Sequence, residues 1–220
     1  MMRSDTVQRL RVTYGIDGPL RYTSVLDMGR LWERLLRRAR APLAYTQGYS
    51  PHPRLQFAAA LPVGYGSICE LVDILLAERM ELPAFTRAIV SQAPQGLAIA
   101  QVEEMLLKAE SPQSTMRAAD YRVTLWTPAE RAHVEAALAS LMERPSISRR
   151  RIKKGQMADY DLRPLIYKLQ YVASVDGGHE LSMTLACGSH GAGRAEEIMD
   201  ELAVGVTHYS IQRIRLVWGD

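Results

Sequence analysis

The 220-residue sequence predicts an α+β protein made of two tandem ferredoxin-like units. Each has β-α-β-β-α-β order and an antiparallel sheet. Two observations carry this expectation. Alternating apolar strands and amphipathic helices follow one another in the same order in both halves, although no residue-level repeat is visible. A stretch holding Ser111-Pro112-Gln113-Ser114 separates them. The expected organisation is a first unit over 1–107, a linker over 108–119 and a second unit over 120–220.

In the first unit, Leu10, Val12 and Tyr14 alternate with Arg9, Arg11 and Thr13, a strand with one buried face. Ser24, with Asp27 three residues on, opens a helix to about Arg40. Val25, Met28, Leu31, Trp32, Leu35, Leu36 and Ala39 form its apolar stripe, and Arg30, Arg34, Arg37 and Arg38 lie largely opposite. Leu55 to Leu61 alternates as a strand, Pro62 to Gly66 turns, and Ile68 to Leu76 completes a hairpin. A helix over about Leu82–Ala93 ends before Pro94-Gln95-Gly96, and Leu97–Val102 is the last strand.

In the second unit, Tyr121–Trp126 is a strand. Thr127-Pro128-Ala129-Glu130 reads as a capped start to a helix reaching about Glu143. A basic segment follows. Leu165–Ser174 and Leu181–Leu185 flank Asp176-Gly177-Gly178, a hairpin signal. A helix over about Ala192–Val204 and a strand over His208–Val217 close the chain.

Apolar residues make up 47% of the chain, and its net charge is +3. The charge is unevenly placed. Five arginines and one acid lie between Arg30 and Arg40, and six basic residues with no acid lie between Arg144 and Lys154. Such concentrations fit an anionic partner, RNA or a ribonucleoprotein. Only Cys69 and Cys187 are present, which suits a reducing cytoplasm and burial of both. No signal peptide or membrane span is expected. No metal or cofactor is expected either. The five histidines form no ligand pair, neither cysteine sits in a CxxC, and phosphate-binding and nucleotide-binding loops are absent from the sequence.

The candidate site residues fall between the first helix and the hairpin of each unit. Tyr45-Thr46-Gln47-Gly48-Tyr49-Ser50-Pro51-His52-Pro53-Arg54 places Tyr45, Gln47, Tyr49, His52 and Arg54 on a loop that its prolines stiffen. Tyrosines there can stack on bases or pack in the core. His52 is the catalytic candidate as a general base, and bracing of the loop is its other reading. In the second unit Arg149, Arg150, Arg151, Lys153 and Lys154 repel one another unless a counter-charge is supplied. Arg163 joins them as a binding candidate, with an ion pair to Asp159 or Asp161 as its structural reading.

Several segments carry a resemblance. Gly18-Pro19-Leu20-Arg21-Tyr22, Ser24-Val25-Leu26-Asp27, Arg30-Leu31-Trp32-Glu33-Arg34, the run Leu43 to Pro53, and Leu61-Pro62-Val63-Gly64, together with Asp161-Leu162-Arg163-Pro164, closely resemble the radical SAM-linked protein family. The resemblance implies a partner, a cobalamin-binding radical SAM protein fused to the domain or encoded beside it. Val25 stands where that family usually has histidine. The tandem arrangement also resembles, at the level of fold alone, CRISPR repeat-processing endoribonucleases. The sequence therefore reads as an RNA- or ribonucleoprotein-binding accessory module that presents substrate to a radical SAM enzyme, with no complete catalytic motif of its own. The alternatives are a metal-independent endoribonuclease using His52 and a protein-interaction adaptor.

Overall fold

The computed structural model describes residues 6–153, 156–188 and 191–219. The chain is a mixed α+β protein and divides into two compact units, one ending at Met116 and the other running over Arg117–Gly219.

In the first unit the elements are β1 (Gln8–Ile16), α1 (Val25–Arg38), β2 (Leu55–Phe57), β3 (Gly66–Leu76), α2 (Leu82–Gln92), β4 (Leu97–Met105) and a short α3 (Pro112–Thr115). β1 lies between β4 and β3, and β2 pairs with β3, every pairing antiparallel. Leu10, Val12 and Tyr14 point into the core, where Met28, Trp32, Leu35 and Leu36 of α1 and Phe85 and Ile89 of α2 meet them. The Tyr14 and Trp32 rings pack edge to face at 4.9 Å. Gly96 closes this unit. Its φ is +90°, its carbonyl accepts from Asp17 N–H at 2.9 Å, and an added Cβ would meet Asp17 O at 2.5 Å.

The other face of β1 corrects the sequence reading, which left it to solvent. Arg9 is only 4% exposed and Asp73 is wholly buried. Arg9 Nε donates to the Asp73 carboxylate at 2.8 Å and Arg11 Nε at 2.7 Å. Arg9 also donates to the carbonyls of Ala109 and Glu110. Ala109 and Glu110 thus lie against this face of β1, and the expected linker contains α3.

The second unit comprises β5 (Met116–Trp126), α4 (Arg131–Glu143), β6 (Ser148–Lys153), β7 (Gln156–Asp161), β8 (Ile166–Val175), β9 (Gly178–Ala186), α5 (Ala195–Glu201) and β10 (His208–Trp218). Four strands lie in the order β10-β5-β9-β8, and β6 and β7 form a separate two-stranded sheet. The β8–β9 turn is the one the Asp-Gly signal predicts: Val175 pairs with Gly178, and Gly177 takes φ +69°. The start of α4 differs from expectation. Thr127 Oγ1 accepts from Ala129 N–H and donates to the Val204 carbonyl, so it pins the preceding loop. The residue at the helix cap is Glu130, whose side chain makes no capping bond. Cys187 is buried and Cys69 only half-buried.

Candidate functional site

α1 begins where Ser24 Oγ accepts from Asp27 N–H at 3.2 Å. The Ser24 hydroxyl donates to the Asp27 carboxylate at 2.7 Å, and Arg30 Nη1 donates to it at 3.0 Å. The Ser24 hydroxyl, then Arg30, hold the Asp27 carboxyl below its usual range. Further along the exposed face the pattern changes. Arg34, Arg37 and Arg38 are exposed, and among the described residues none of the three makes an ion pair. Arg37 and Arg38 occupy the last turn, where cations also favour the helix dipole. The face therefore concentrates positive charge without ion pairs among the described residues toward its C-terminal end, although Arg34 still helps to hold the Asp27 carboxyl low.

The chain leaves α1 through Arg40, which takes φ +53°, and enters the Tyr45–Arg54 loop. Ala44 N–H donates to Leu75 O, and Arg54 N–H to Ala44 O, both at 2.8 Å. Tyr45 and Pro53 form a bridge. Thr46 N–H donates to His52 O at 2.8 Å, and His52 N–H to Thr46 Oγ1 at 3.0 Å. These bonds pin the base and leave the tip outside. Gln47, Tyr49 and His52 are exposed, Tyr49 fully so. Tyr45 is half-buried against the core cluster. Arg54 is half-buried, with Nη1 on Thr6 Oγ1 at 2.8 Å. The His52 ring makes no hydrogen bond among the described residues.

The basic stretch of the second unit is a β-hairpin, and its counter-charges come from within the protein. Arg149 pairs with Asp200 at 2.5 Å and Glu201 at 2.9 Å. Arg150 pairs with Asp159 directly across the hairpin at 2.6 Å. Arg151 lies over the Tyr160 ring, 4.3 Å from its centroid. The counter-charge that this block calls for is thus supplied to Arg149 and Arg150 by Asp200, Glu201 and Asp159. Lys153 closes β6, and Lys154 lies outside the described residues. Burial, then the Tyr160–Glu197 hydrogen bond, push the Tyr160 hydroxyl well above its usual range.

Arg163 braces the backbone. Its Nε and Nη2 donate to Met142 O at 3.1 and 2.9 Å, and its Nη1 to Ile166 O at 3.1 Å. Met142 lies in the last turn of α4, where carbonyls lack partners within the helix. Asp161 Oδ1 accepts from the N–H groups of Ile147 and Arg163. Those two bonds are the largest causes holding its carboxyl low. The structural reading of Arg163 from sequence is an ion pair to Asp159 or Asp161; its guanidinium donates to carbonyls, and its charge adds to what holds Asp161 low.

Two concavities in the first unit were not foreseen. One is an apolar cavity of about 30 Å³ lined by Tyr14, Leu20, Val25, Phe57 and Leu61, with Glu70 and Arg21 at its wall. It has room for about one water molecule. The other is a groove of about 290 Å³ along α1. Among the described residues no three His, Cys, Asp or Glu side chains cluster as a metal site requires. No helix among them is long and apolar enough to cross a membrane.

Residues 9–195 match the family described as "Uncharacterized protein conserved in bacteria (DUF2344)". That description names no radical SAM enzyme. No curated protein matches. Among solved structures, the chain is similar to one in a Cbf5-Nop10-Gar1 complex, at 10% identity and TM-score 0.47, covering 96% of this chain and 49% of that one. It is similar to a chain of the archaeal box H/ACA sRNP Nop10-Cbf5 complex at 10% identity and TM-score 0.44, covering 96% and 48%. A third is an H/ACA RNP bound to a substrate RNA containing 2'-deoxyuridine, at 8% identity and TM-score 0.44, covering 98% and 59%. The chain thus spans about half the length of the first two of these chains.

Proposed function

The chain belongs to this family of proteins conserved in bacteria, and from its own side chains we propose that it is an RNA- or ribonucleoprotein-binding accessory module. The observation that carries the reading is the exposed Arg34, Arg37 and Arg38 row of α1, without ion pairs among the described residues. Exposed guanidinium groups without ion pairs favour phosphate, and binding gains from counterion release. The exposed Tyr49 and His52 add stacking surfaces to the same unit. Each unit is read as a ferredoxin-like module, supported by the strand order β4-β1-β3 with β2 on β3, and β10-β5-β9-β8. The resemblance of the Gly18–Asp27, Leu43–Pro53 and Leu61–Gly64 segments supports a radical SAM enzyme as the partner to which the module presents substrate. Two free cysteines suit cytoplasmic work.

Titration of a labelled single-stranded RNA at several salt concentrations tests the reading. Wild-type affinity is expected to fall steeply with salt. The triple variant Arg34→Gln/Arg37→Gln/Arg38→Gln is expected to bind more weakly, with a log–log slope shallower by about 2. The absence of binding at low salt, or an unchanged slope in the triple variant, would sink the reading.

A further inference from the structure

Asp27, Leu31, Arg34, Leu35 and Arg38 recur at helical spacing and form one stripe of α1. That stripe is one wall of the 290 Å³ groove, whose other side is made by Gln92 at the end of α2 and Pro94 beyond it. The volume is close to the lower bound of pockets that hold small ligands, roughly 300 Å³. Its chemistry is polarised along the helix. Two guanidinium groups, Arg34 and Arg38, stand four residues apart, and neither makes an ion pair among the described residues. About 16 Å separates Arg38 from Asp27 along the axis, at 1.5 Å per residue. At that end the Asp27 carboxylate is already held by Ser24 and balanced by Arg30, and the Thr23 and Gln92 side chains add neutral polar groups to the lining. Leu31, Leu35 and Pro94 supply the apolar part of the lining.

From this arrangement we infer that the α1–α2 groove is a ribonucleotide subsite. Arg34 and Arg38 hold the phosphate, Leu31, Leu35 and Pro94 lie against the base, and Asp27 accepts hydrogen bonds from the ribose hydroxyls. The order follows from charge. A phosphate beside Asp27 is repelled, whereas at Arg38 it gains two planar donors. A hydroxyl is the group that a carboxylate prefers, and the 2′-hydroxyl is what distinguishes RNA from DNA. This inference rests on the proposed RNA-binding function and gives its arginine row a defined ligand.

The probes are adenosine monophosphate, its 2′-deoxy analogue and inorganic phosphate. Each is titrated into nitrogen-labelled full-length protein while backbone amide shifts are followed. Adenosine monophosphate is expected to shift amides of Thr23–Arg38 and of Ser91, Gln92 and Gln95 (Pro94 has none). The variant Arg34→Gln/Arg38→Gln is expected to weaken this binding about tenfold or more, and Arg87→Gln, an exposed charge on α2 outside the groove, to leave it unchanged. The deoxy analogue should bind several-fold more weakly, and Asp27→Asn should narrow that gap. Phosphate alone should shift only amides near Arg34 and Arg38. Absence of shifts at roughly 10 mM nucleotide, shifts outside the groove, or shifts that survive in the double variant would each overturn the subsite. Salt-dependent RNA binding alongside such a result would leave the broader function standing. Nucleotide binding in the groove without RNA binding would uphold the subsite and overturn the broader function, with a mononucleotide as the ligand.

Discussion

Replacing Arg163 with alanine separates a binding arginine from a bracing one. The guanidinium gives two donors to Met142 O and one to Ile166 O, at 2.9 to 3.1 Å. Hydrogen bonds from a charged donor contribute about 1.5–3 kcal/mol each. Two of the three share one acceptor, so two satisfied carbonyls is the safer count. Arg163 is half-buried, and the freed carbonyls regain some water, which brings the expected loss to about 2–3 kcal/mol. For a chain of this size that corresponds to a fall in Tm of about 4–12 °C. Hydrogen exchange at the last amides of α4 localises the loss. RNA affinity, measured well below the new Tm, should stay within about twofold of wild type. Arg163→Lys should not rescue stability, since an ammonium lacks the planar fork. An unchanged Tm with affinity lowered tenfold would refute the bracing role and make Arg163 a ligand-binding residue.

Asp73→Asn should be the more damaging change, costing about 3–5 kcal/mol, because it strips the buried counter-charge from Arg9 and Arg11; urea unfolding reads this, and a loss below about 1 kcal/mol would contradict it. Acid should loosen the β6–β7 hairpin and the α5 contact first. The Asp159 and Asp161 carboxyls are held low by Arg150 and by backbone N–H groups. Burial pushes Glu201 up, but Arg144 and Arg149 outweigh it and hold it below its ordinary 4.5. Depressed carboxylates stabilise above their unfolded values and lose that contribution as pH falls through the folded ones. Faster amide exchange in the hairpin than in β8 and β9, appearing only as pH drops below 4.5, is the expected signature.

Much of the architecture was legible because it rests on local signals. Ser24 caps α1, Leu10, Val12 and Tyr14 alternate into the core, and the Asp-Gly pair turns β8 into β9. What sequence reasoning missed was set by distant partners. Arg9 looked solvent-facing because its counter-ion, Asp73, lies 64 residues away. Arg149 looked uncompensated because Asp200 and Glu201 lie about 50 residues on. Arg150 was different: Asp159 was close in sequence. The segment's polar composition lacks the apolar alternation that would have paired the two as strand neighbours. Thr127 carried every sign of a helix cap, yet its hydroxyl was claimed by Val204, 77 residues away. In the candidate groove the arginines were legible as a face of α1. Gln92 and Pro94 read only as the end of a helix, since nothing local tells which helix they will meet.

The β6–β7 hairpin enters and leaves the second unit through a single doorway. Leu162 N–H donates to Ile147 O at 2.8 Å, and Asp161 accepts from Ile147 N–H at 2.8 Å across 14 residues. Both Ile147 and Leu162 are wholly buried. A segment whose ends already meet behaves as an insertion, and its length adds little to the entropy of closing the loop. The hairpin is therefore exchangeable cargo on a fixed frame. Joining Ile147 to Leu162 through a short turn excises it and leaves the register of β8 on β9 untouched. The debt appears at Glu197, buried and deprived of the Tyr160 hydroxyl. Coupling the excision to Glu197→Gln removes the stranded charge, and it turns this chain into an acceptor for hairpins of other sequence.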